Sequence, residues 1–270
     1  METLGEKPTL IGLPYDASSS YLRGPALAPP LIREALWSPS ANTWTELGVN
    51  IDGAVGDAGD LPLENCSAAD ARAAIERGVA EVFTSGGRPV SLGGDHSVTY
   101  PVLRAVRQHA PRLTIMHIDA HPDLYEEFEG DRYSHACPFA RIMEERLADR
   151  LVQVGIRTAT NHQRQQAKRY GVEVIEMRQL RDDLKLSFEG PLYVSIDIDA
   201  LDPAFAPGVS HREPGGMSVR QLLALVQAID VPIVGADVVE LNPRNDASGV
   251  SAMAAAKILR ELLGVMLAMK

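Results

Sequence analysis

The sequence predicts an α/β fold, with helices wound on both sides of a mainly parallel sheet. Three observations carry that prediction. Short apolar runs alternate along the chain with segments of helical period, the order that βαβ units require. Runs such as LYVSI (192–196) and PIVGADVV (232–239) are nearly continuous rather than alternating, as expected of strands covered on both faces. Most candidate strands also stop where polar residues begin, and open parallel sheets bind ligands beyond the carboxyl ends of their strands.

In chain order, Thr9–Leu13 is the first strand-like apolar run. Gly53–Asn65 (GAVGDAGDLPLEN) reads as a loop. Ala68–Ser85 has helical period and leads to the run Pro89–Leu92. Tyr100–His109 is the next helix and Arg112–Ile118 the next strand. A helix over Phe139–Leu147 precedes the strand Leu151–Gly155, and a helix over Gln163–Tyr170 precedes Val172–Ile175. Leu192–Ile198 and Pro232–Val239 are strands separated by the helix Val219–Ile229. Ser251–Leu267 closes the chain as a long amphipathic helix, suited to packing on the sheet or to a subunit contact. No internal repeat, low-complexity tract or Gly/Ser linker interrupts this order, so one domain over 1–270 is expected. Trp37 and Trp44 fall in the irregular stretch ALWSPSANTW, as loop anchors near a site entrance or as local core.

Composition narrows the function. The 270 residues hold 26 Lys+Arg against 36 Asp+Glu, a formal charge of −10, so no electrostatic footprint for nucleic acid is present. Apolar residues at 45% and charged residues at 23% indicate a globular chain rather than a disordered one. A chain of this size buries roughly three quarters of its unfolded surface and needs no disulfides. Cys66 and Cys137 lack CxxC spacing and read as small reduced, mostly buried thiols. The stretch METLGEKPTLIG carries Glu2 and Glu6 and lacks a cationic start before an apolar run. Lys257, Arg260 and Glu261 break the C-terminal apolar stretch. The expectation is a soluble cytoplasmic protein without membrane association.

Four strand ends are chemically loaded. The first runs through Gly93-Gly94-Asp95-His96-Ser97, where two glycines permit a tight turn that lifts His96 above the sheet. In the second, LTIMHIDAHPDLY, Asp119, His121 and Asp123 lie two residues apart and share one face if the segment is extended. Two carboxylates and an imidazole facing the same way at the end of a buried strand require a compensating cation. His117 has the same parity but lies deeper, as core or as support for a ligand. In the third, LYVSIDIDALDP, Asp197 and Asp199 share a face, and Asp202 before Pro203 suits a turn. In the fourth, PIVGADVVELNP, Glu240 ends an apolar run, with Asp237 further inside.

Together His96, Asp119, His121, Asp123, Asp197 and Asp199 offer four carboxylates and two imidazoles. Two divalent cations would balance the four negative charges. An O/N set without thiolate suits Mn²⁺ better than structural zinc. Paired cations lower the pKa of a shared water toward neutrality, which makes hydrolysis the expected reaction class.

At these residues the sequence resembles the ureohydrolase family, the arginases and agmatinases. The resemblance rests on GGDHS (93–97), DAHPD (119–123), SIDIDALDPAFAPG (195–208), EPGG (213–216) and ADVVELNP (236–243). It implies a three-layer α/β/α sandwich, two Mn²⁺ per subunit held by those six residues, and a small cationic guanidino substrate cleaved to urea and an amine. It implies that Asp123 also passes a proton to the leaving amine and that Glu240 grips the guanidinium. In EGDRYSHACPF it makes His135 the proton shuttle; by itself His135 could equally be a loop histidine. A homotrimer or homohexamer is implied as well.

The stretches HPDLYEEFEGDRYSHA and APGVSHREPGG look like those of plant-type arginases, which favours L-arginine as substrate. Agmatine and 4-guanidinobutyrate stay open, because Gly155-Ile156-Arg157-Thr158-Ala159-Thr160 has no carboxylate for an α-ammonium group. Tyr125 and Asp131 fall near the places where animal arginases hold the α-carboxylate with Asn and Ser. More distant alternatives are a metal-dependent deacetylase, a non-catalytic partner subunit, and an acidic rim that binds nothing. The intact six-residue set argues against the first two.

Overall fold

The computed structural model describes residues 7–181 and 184–269, so Glu2 and Glu6 of the N-terminal stretch lie outside it. One sheet holds β1 (Lys7–Gly12), β2 (Gly56–Asp60), β3 (Gly87–Leu92), β4 (Thr114–Ile118), β5 (Arg150–Ile156), β6 (Glu173–Glu176), β7 (Leu192–Asp197) and β8 (Ile233–Val239). The strand order is β2-β1-β3-β8-β7-β4-β5-β6, and every neighbouring pair is parallel. The helices are α1 (Ala28–Leu36), α2 (Ala68–Thr84), α3 (Thr99–His109), α4 (Pro138–Glu144), α5 (Asn161–Tyr170), α6 (Val219–Gln227) and α7 (Val250–Ala268).

The central strands β3, β8, β7 and β4 are buried at every position, which is why their sequences run apolar rather than alternate. One face of the sheet packs against α1, α6 and α7 through Ile32, Leu222 and Ile258. The other packs against α2, α3, α4 and α5 through Ile75, Leu103, Phe139 and Ala167. This is the expected three-layer sandwich. Most of α7 is buried between α1, α6 and the sheet, so packing is what its apolar surface serves. Among the described residues, no helix is long and apolar enough to cross a membrane.

Two elements escape the hydrophobic pattern. Gly56–Asp60 forms the edge strand β2 within the segment that reads as a loop. It is mostly exposed, pairs only with β1, and is clamped by Arg33 of α1, whose Nε donates to Asp57 Oδ2 at 2.8 Å. Helix α1 carries Pro29 and Pro30 in its first turn, where they look like breakers. In a first turn, however, the missing N–H groups would have had no helical acceptor. Trp37 and Trp44 are exposed, and neither lines the cavity described below. Cys137 is buried and Cys66 only partly, both as free thiols.

Candidate metal centre and active site

The four loaded strand ends belong to β3, β8, β7 and β4, which are consecutive in the sheet. Parallel strands all deliver their carboxyl ends to the same edge, so residues far apart in sequence meet there. Gly94 makes the first turn possible by close approach rather than by left-handed backbone: a Cβ on it would lie 1.7 Å from the Tyr15 carbonyl oxygen. The segment after β4 corrects one expectation. Asp119, His121 and Asp123 do not share an extended face, because the chain turns after Ile118 and Asp123 sits at φ 49°. The three converge through this turn, and the left-handed Asp123 is a strained residue of the kind that collects at functional sites.

His96 Nδ1 lies 3.1 Å from Asp119 Oδ2, 3.0 Å from Asp123 Oδ2 and 3.2 Å from Asp197 Oδ2. His121 Nδ1 lies 3.0 Å from Asp199 Oδ2 and 3.5 Å from Asp119 Oδ1. Asp119 therefore joins two groups of donors, one on each carboxylate oxygen. The structure brings all six expected ligand residues together.

The hydrogen bonds beneath His96 decide what those donors fit. The Asp237 carboxylate accepts from Ser195 Oγ at 2.7 Å, Tyr193 Oη at 2.6 Å and Thr99 Oγ1 at 2.9 Å. Ser195 has one proton and gives it to Asp237, so its oxygen accepts from His96 Nε2, 3.1 Å away. In the neutral ring this leaves a bare lone pair on Nδ1, facing three carboxylate oxygens, and Nδ1 has no hydrogen-bond partner among the described residues. Lone pairs at that spacing repel unless a cation stands among them, so the donor set fits a bound metal ion.

Without a metal ion, the same carboxylates draw a proton into that place. Burial would lower the His96 pKa, but Asp119, Asp123 and Asp197 hold it well above the usual histidine value. Burial and then Asp199 and Asp119 push Asp197 well above the carboxylate range. Burial raises Asp199 to about 6. The protein alone concentrates more negative charge here than it compensates.

Glu240, also left-handed at φ 63°, sits immediately after β8. Its Oε1 accepts from the His96 backbone N–H at 2.9 Å and from His135 Nδ1 at 3.0 Å, while Oε2 has no partner among the described residues. His135 Nε2 meets Ser20 Oγ at 2.8 Å. Against the lowering effect of burial, Glu240 raises His135 to about 9. Asp123, His135, Glu240, Asp197, Asp199 and His121 line one cavity of about 170 Å³, together with Tyr125, Thr158, Thr160, Gln163 and His211. Tyr125 is thus at the cavity and Asp131 is not. A larger cavity of about 610 Å³, between α6 and Leu180–Phe188, has none of these groups.

The Arginase family model matches residues 6–264. The chain belongs to the arginase family. A mitochondrial arginase of Medicago truncatula is 50% identical over 276 residues, covering 96% of this chain and 81% of that one. A chloroplastic/mitochondrial arginase of Arabidopsis thaliana is 47% identical, covering 97% and 82%. An agmatinase of Bacillus anthracis is 34% identical, covering 94% and 90%. The solved arginase from Medicago truncatula superposes with a TM-score of 0.93 at 46% identity, covering 98% of this chain and 88% of that chain. These relatives overturn the cytoplasmic expectation: the plant arginases carry organellar names, which point to an organelle.

In this arginase-family chain, several supporting residues lie beyond what the motifs signal. His117 Nε2 donates to Asp119 Oδ2 at 2.7 Å, and Gln153 Nε2 donates to His117 Nδ1 at 3.0 Å, so both ring nitrogens are engaged and His117 orients Asp119. Asp237, which lies further inside β8 than Glu240, anchors Ser195 and through it His96. Asp95 receives the Ser18 N–H at 3.0 Å and Ser19 Oγ at 3.2 Å, holding the loop that carries Ser20. Arg157 Nη2 donates to the carbonyls of Asp199 and Glu213, both at 2.7 Å, and ties the two segments together. Asp202 has its expected turn role, accepting from Ala204 N at 2.9 Å and Gly215 N at 2.7 Å. A lone polar residue on a strand gives no signal of such partners.

Proposed function

We propose that this chain hydrolyses L-arginine to L-ornithine and urea, using two Mn²⁺ held by His96, Asp119, His121, Asp123, Asp197 and Asp199. The observation that carries the choice of arginine is the 50% identity to a plant arginase, against 34% to an agmatinase. The carboxylate and imidazole donors, with no thiolate among them, support manganese. Divalent cations bound there would lower the pKa of a water molecule toward neutrality and so make a nucleophile available.

The chain's own residues do the rest. The unpartnered Glu240 Oε2 receives guanidinium N–H groups, while Oε1 stays fixed by His96 and His135. Water oxygen bonds to the guanidinium carbon, and the bond from that carbon to the side-chain nitrogen breaks. Asp123 takes the proton released from the water and delivers it to the departing amine. His135, between Glu240 and Ser20 at the cavity wall, passes protons to and from solvent.

Agmatine is the second reading, with 4-guanidinobutyrate beside it. It is favoured by Thr158 and Thr160 lining the cavity where a carboxylate would pair with an α-ammonium group. One catalytic domain over 1–270 is part of the proposal, supported by the single continuous sheet. So is a homotrimer or homohexamer, supported by exposed Leu31 on α1 and exposed Val250 and Met253 on α7, two helices that pack together. Light scattering coupled to size exclusion tests the assembly. Urea release from the Mn²⁺-loaded protein tests the activity, with arginine, agmatine and 4-guanidinobutyrate as parallel substrates. Arginine should give the highest kcat/KM, and a preference for agmatine would overturn that assignment.

A further inference from the structure

The VSHREPGG stretch places a ring that the chemistry described so far does not use. His211 lines the catalytic cavity. Its ring centroid lies 5.2 Å from that of His135, 5.9 Å from His121 and 5.7 Å from Tyr21. Neither of its ring nitrogens has a hydrogen-bond partner among the described residues, whereas His135 and His117 use both of theirs.

Its placement is fixed by the two residues that precede it. Ser210 Oγ donates to the Leu22 carbonyl at 2.8 Å and accepts from Asn242 Nδ2 at 2.9 Å. Asn245 Nδ2 donates to the Val209 carbonyl at 2.9 Å. The ring is therefore held at the wall by a rigid backbone, with its polar edge unused. Glu240 and His135 are buried at 4% and 8% exposure, while Tyr21, whose ring neighbours His211, is 67% exposed. His211 lines the same cavity as Glu240, with its ring beside that of His135, so a guanidino substrate held at Glu240 has its stem within this cavity. In arginine, the group at the end of that stem is a carboxylate beside an ammonium; in agmatine it is an ammonium alone.

We propose that His211 is a specificity-determining residue, whose free ring nitrogen hydrogen-bonds the carboxylate end of a guanidino acid. The inference rests on the proposed function. It also answers the absence of a carboxylate in GIRTAT: this chain would distinguish arginine from agmatine by the carboxylate rather than by the ammonium. A hydrogen bond to a charged group in a cavity this small is worth about tenfold to a hundredfold in discrimination.

The test compares Mn²⁺-loaded wild type, His211→Ala and His211→Phe on arginine, 4-guanidinobutyrate and agmatine. Phe keeps the ring's bulk and packing but removes both nitrogens, so it guards against a collapse of the wall in the Ala variant. Both variants should lose about tenfold or more in kcat/KM on the two carboxylate substrates, through KM. Agmatine should change by less than about threefold, with the Mn²⁺ affinity of the protein retained. An equal loss on all three substrates, a loss confined to kcat, or a Phe variant that behaves as wild type would overturn the assignment. Wild type releasing urea from none of the three would instead overturn the proposed function and this inference with it.

Discussion

Ser195→Ala tests whether the hydrogen bonds beneath the site prepare His96 for a metal ion. Ser195 Oγ is the acceptor for His96 Nε2 and a donor to Asp237, all of them buried. Alanine removes both bonds and leaves the His96 Nε2–H without a partner in the interior. One lost hydrogen bond to a buried charged group costs about 1.5–3 kcal/mol. Taking about 2 kcal/mol, and roughly 2–4 °C for each kcal/mol in a chain of this size, the metal-free protein should melt roughly 4–8 °C lower. The imidazole is also free to hold its proton on Nδ1, where it opposes a cation, and loss of such a partner weakens metal binding by about 10–100-fold. Calorimetric titration of Mn²⁺ into metal-free protein reads that loss. Tyr193→Phe is the control: it removes another hydroxyl from Asp237, at 2.6 Å, without touching His96. It should lower stability but change Mn²⁺ affinity by less than about threefold. Unchanged affinity in Ser195→Ala, or an equal loss in Tyr193→Phe, would refute the orienting role.

Asp123→Asn should lower kcat for urea release by about 10²–10⁴-fold while the circular dichroism spectrum stays unchanged, because Asn tolerates the left-handed backbone that Asp123 adopts. Removing divalent ions by chelation should lower the melting temperature and restoring Mn²⁺ should raise it. At one hundred times its dissociation constant a ligand adds about 2.7 kcal/mol, so an unresponsive melting temperature would count against a metal site. Glu46 gives a pH dependence away from the site: its bond to Arg220 lowers its pKa from 4.5 to about 2. A depressed carboxylate pKa stabilises the fold above the unfolded value and loses that contribution as pH falls from about 4.5 through 2. With the side chain 37% exposed, solvent screening limits the contribution to about 1 kcal/mol or less. Glu46→Gln should flatten that part of the stability curve in urea titrations, and an unchanged slope would show that the pair contributes nothing.

Much of the site was legible because its residues are out of place by ordinary rules. Carboxylates and imidazoles at the ends of apolar strands are costly, and Asp119, Asp197 and Glu240 stand out against LTIMHI, LYVSI and PIVGADVV. His117 and Asp202 were legible as support and as a turn residue, but Gln153, Thr99 and Arg157 were not, because each looks ordinary where it stands. Gln153 is one polar residue in β5, yet it serves His117 across 36 positions. Thr99 and Asp237 are 138 positions apart. The edge strand β2 was missed for a related reason: its stability comes from backbone pairing and the Arg33 ion pairs, not from apolar side chains. The cytoplasmic expectation failed because a folded catalytic domain is built alike wherever it resides.

By itself, the sequence determined the fold class, the four loaded strand ends and the six candidate ligand residues that the structure brings together. Burial on two faces demands apolar runs, and a metal demands particular donors, so both constraints write themselves into local residue type. Only the tertiary structure decided that β3, β8, β7 and β4 are neighbours, that Ser195 and Asp237 leave His96 Nδ1 bare, and that His211 stands unpartnered at the wall. Those outcomes depend on strand order and on hydrogen-bond direction across the sheet. Such pairings join distant positions through space, and no single stretch of chain encodes them.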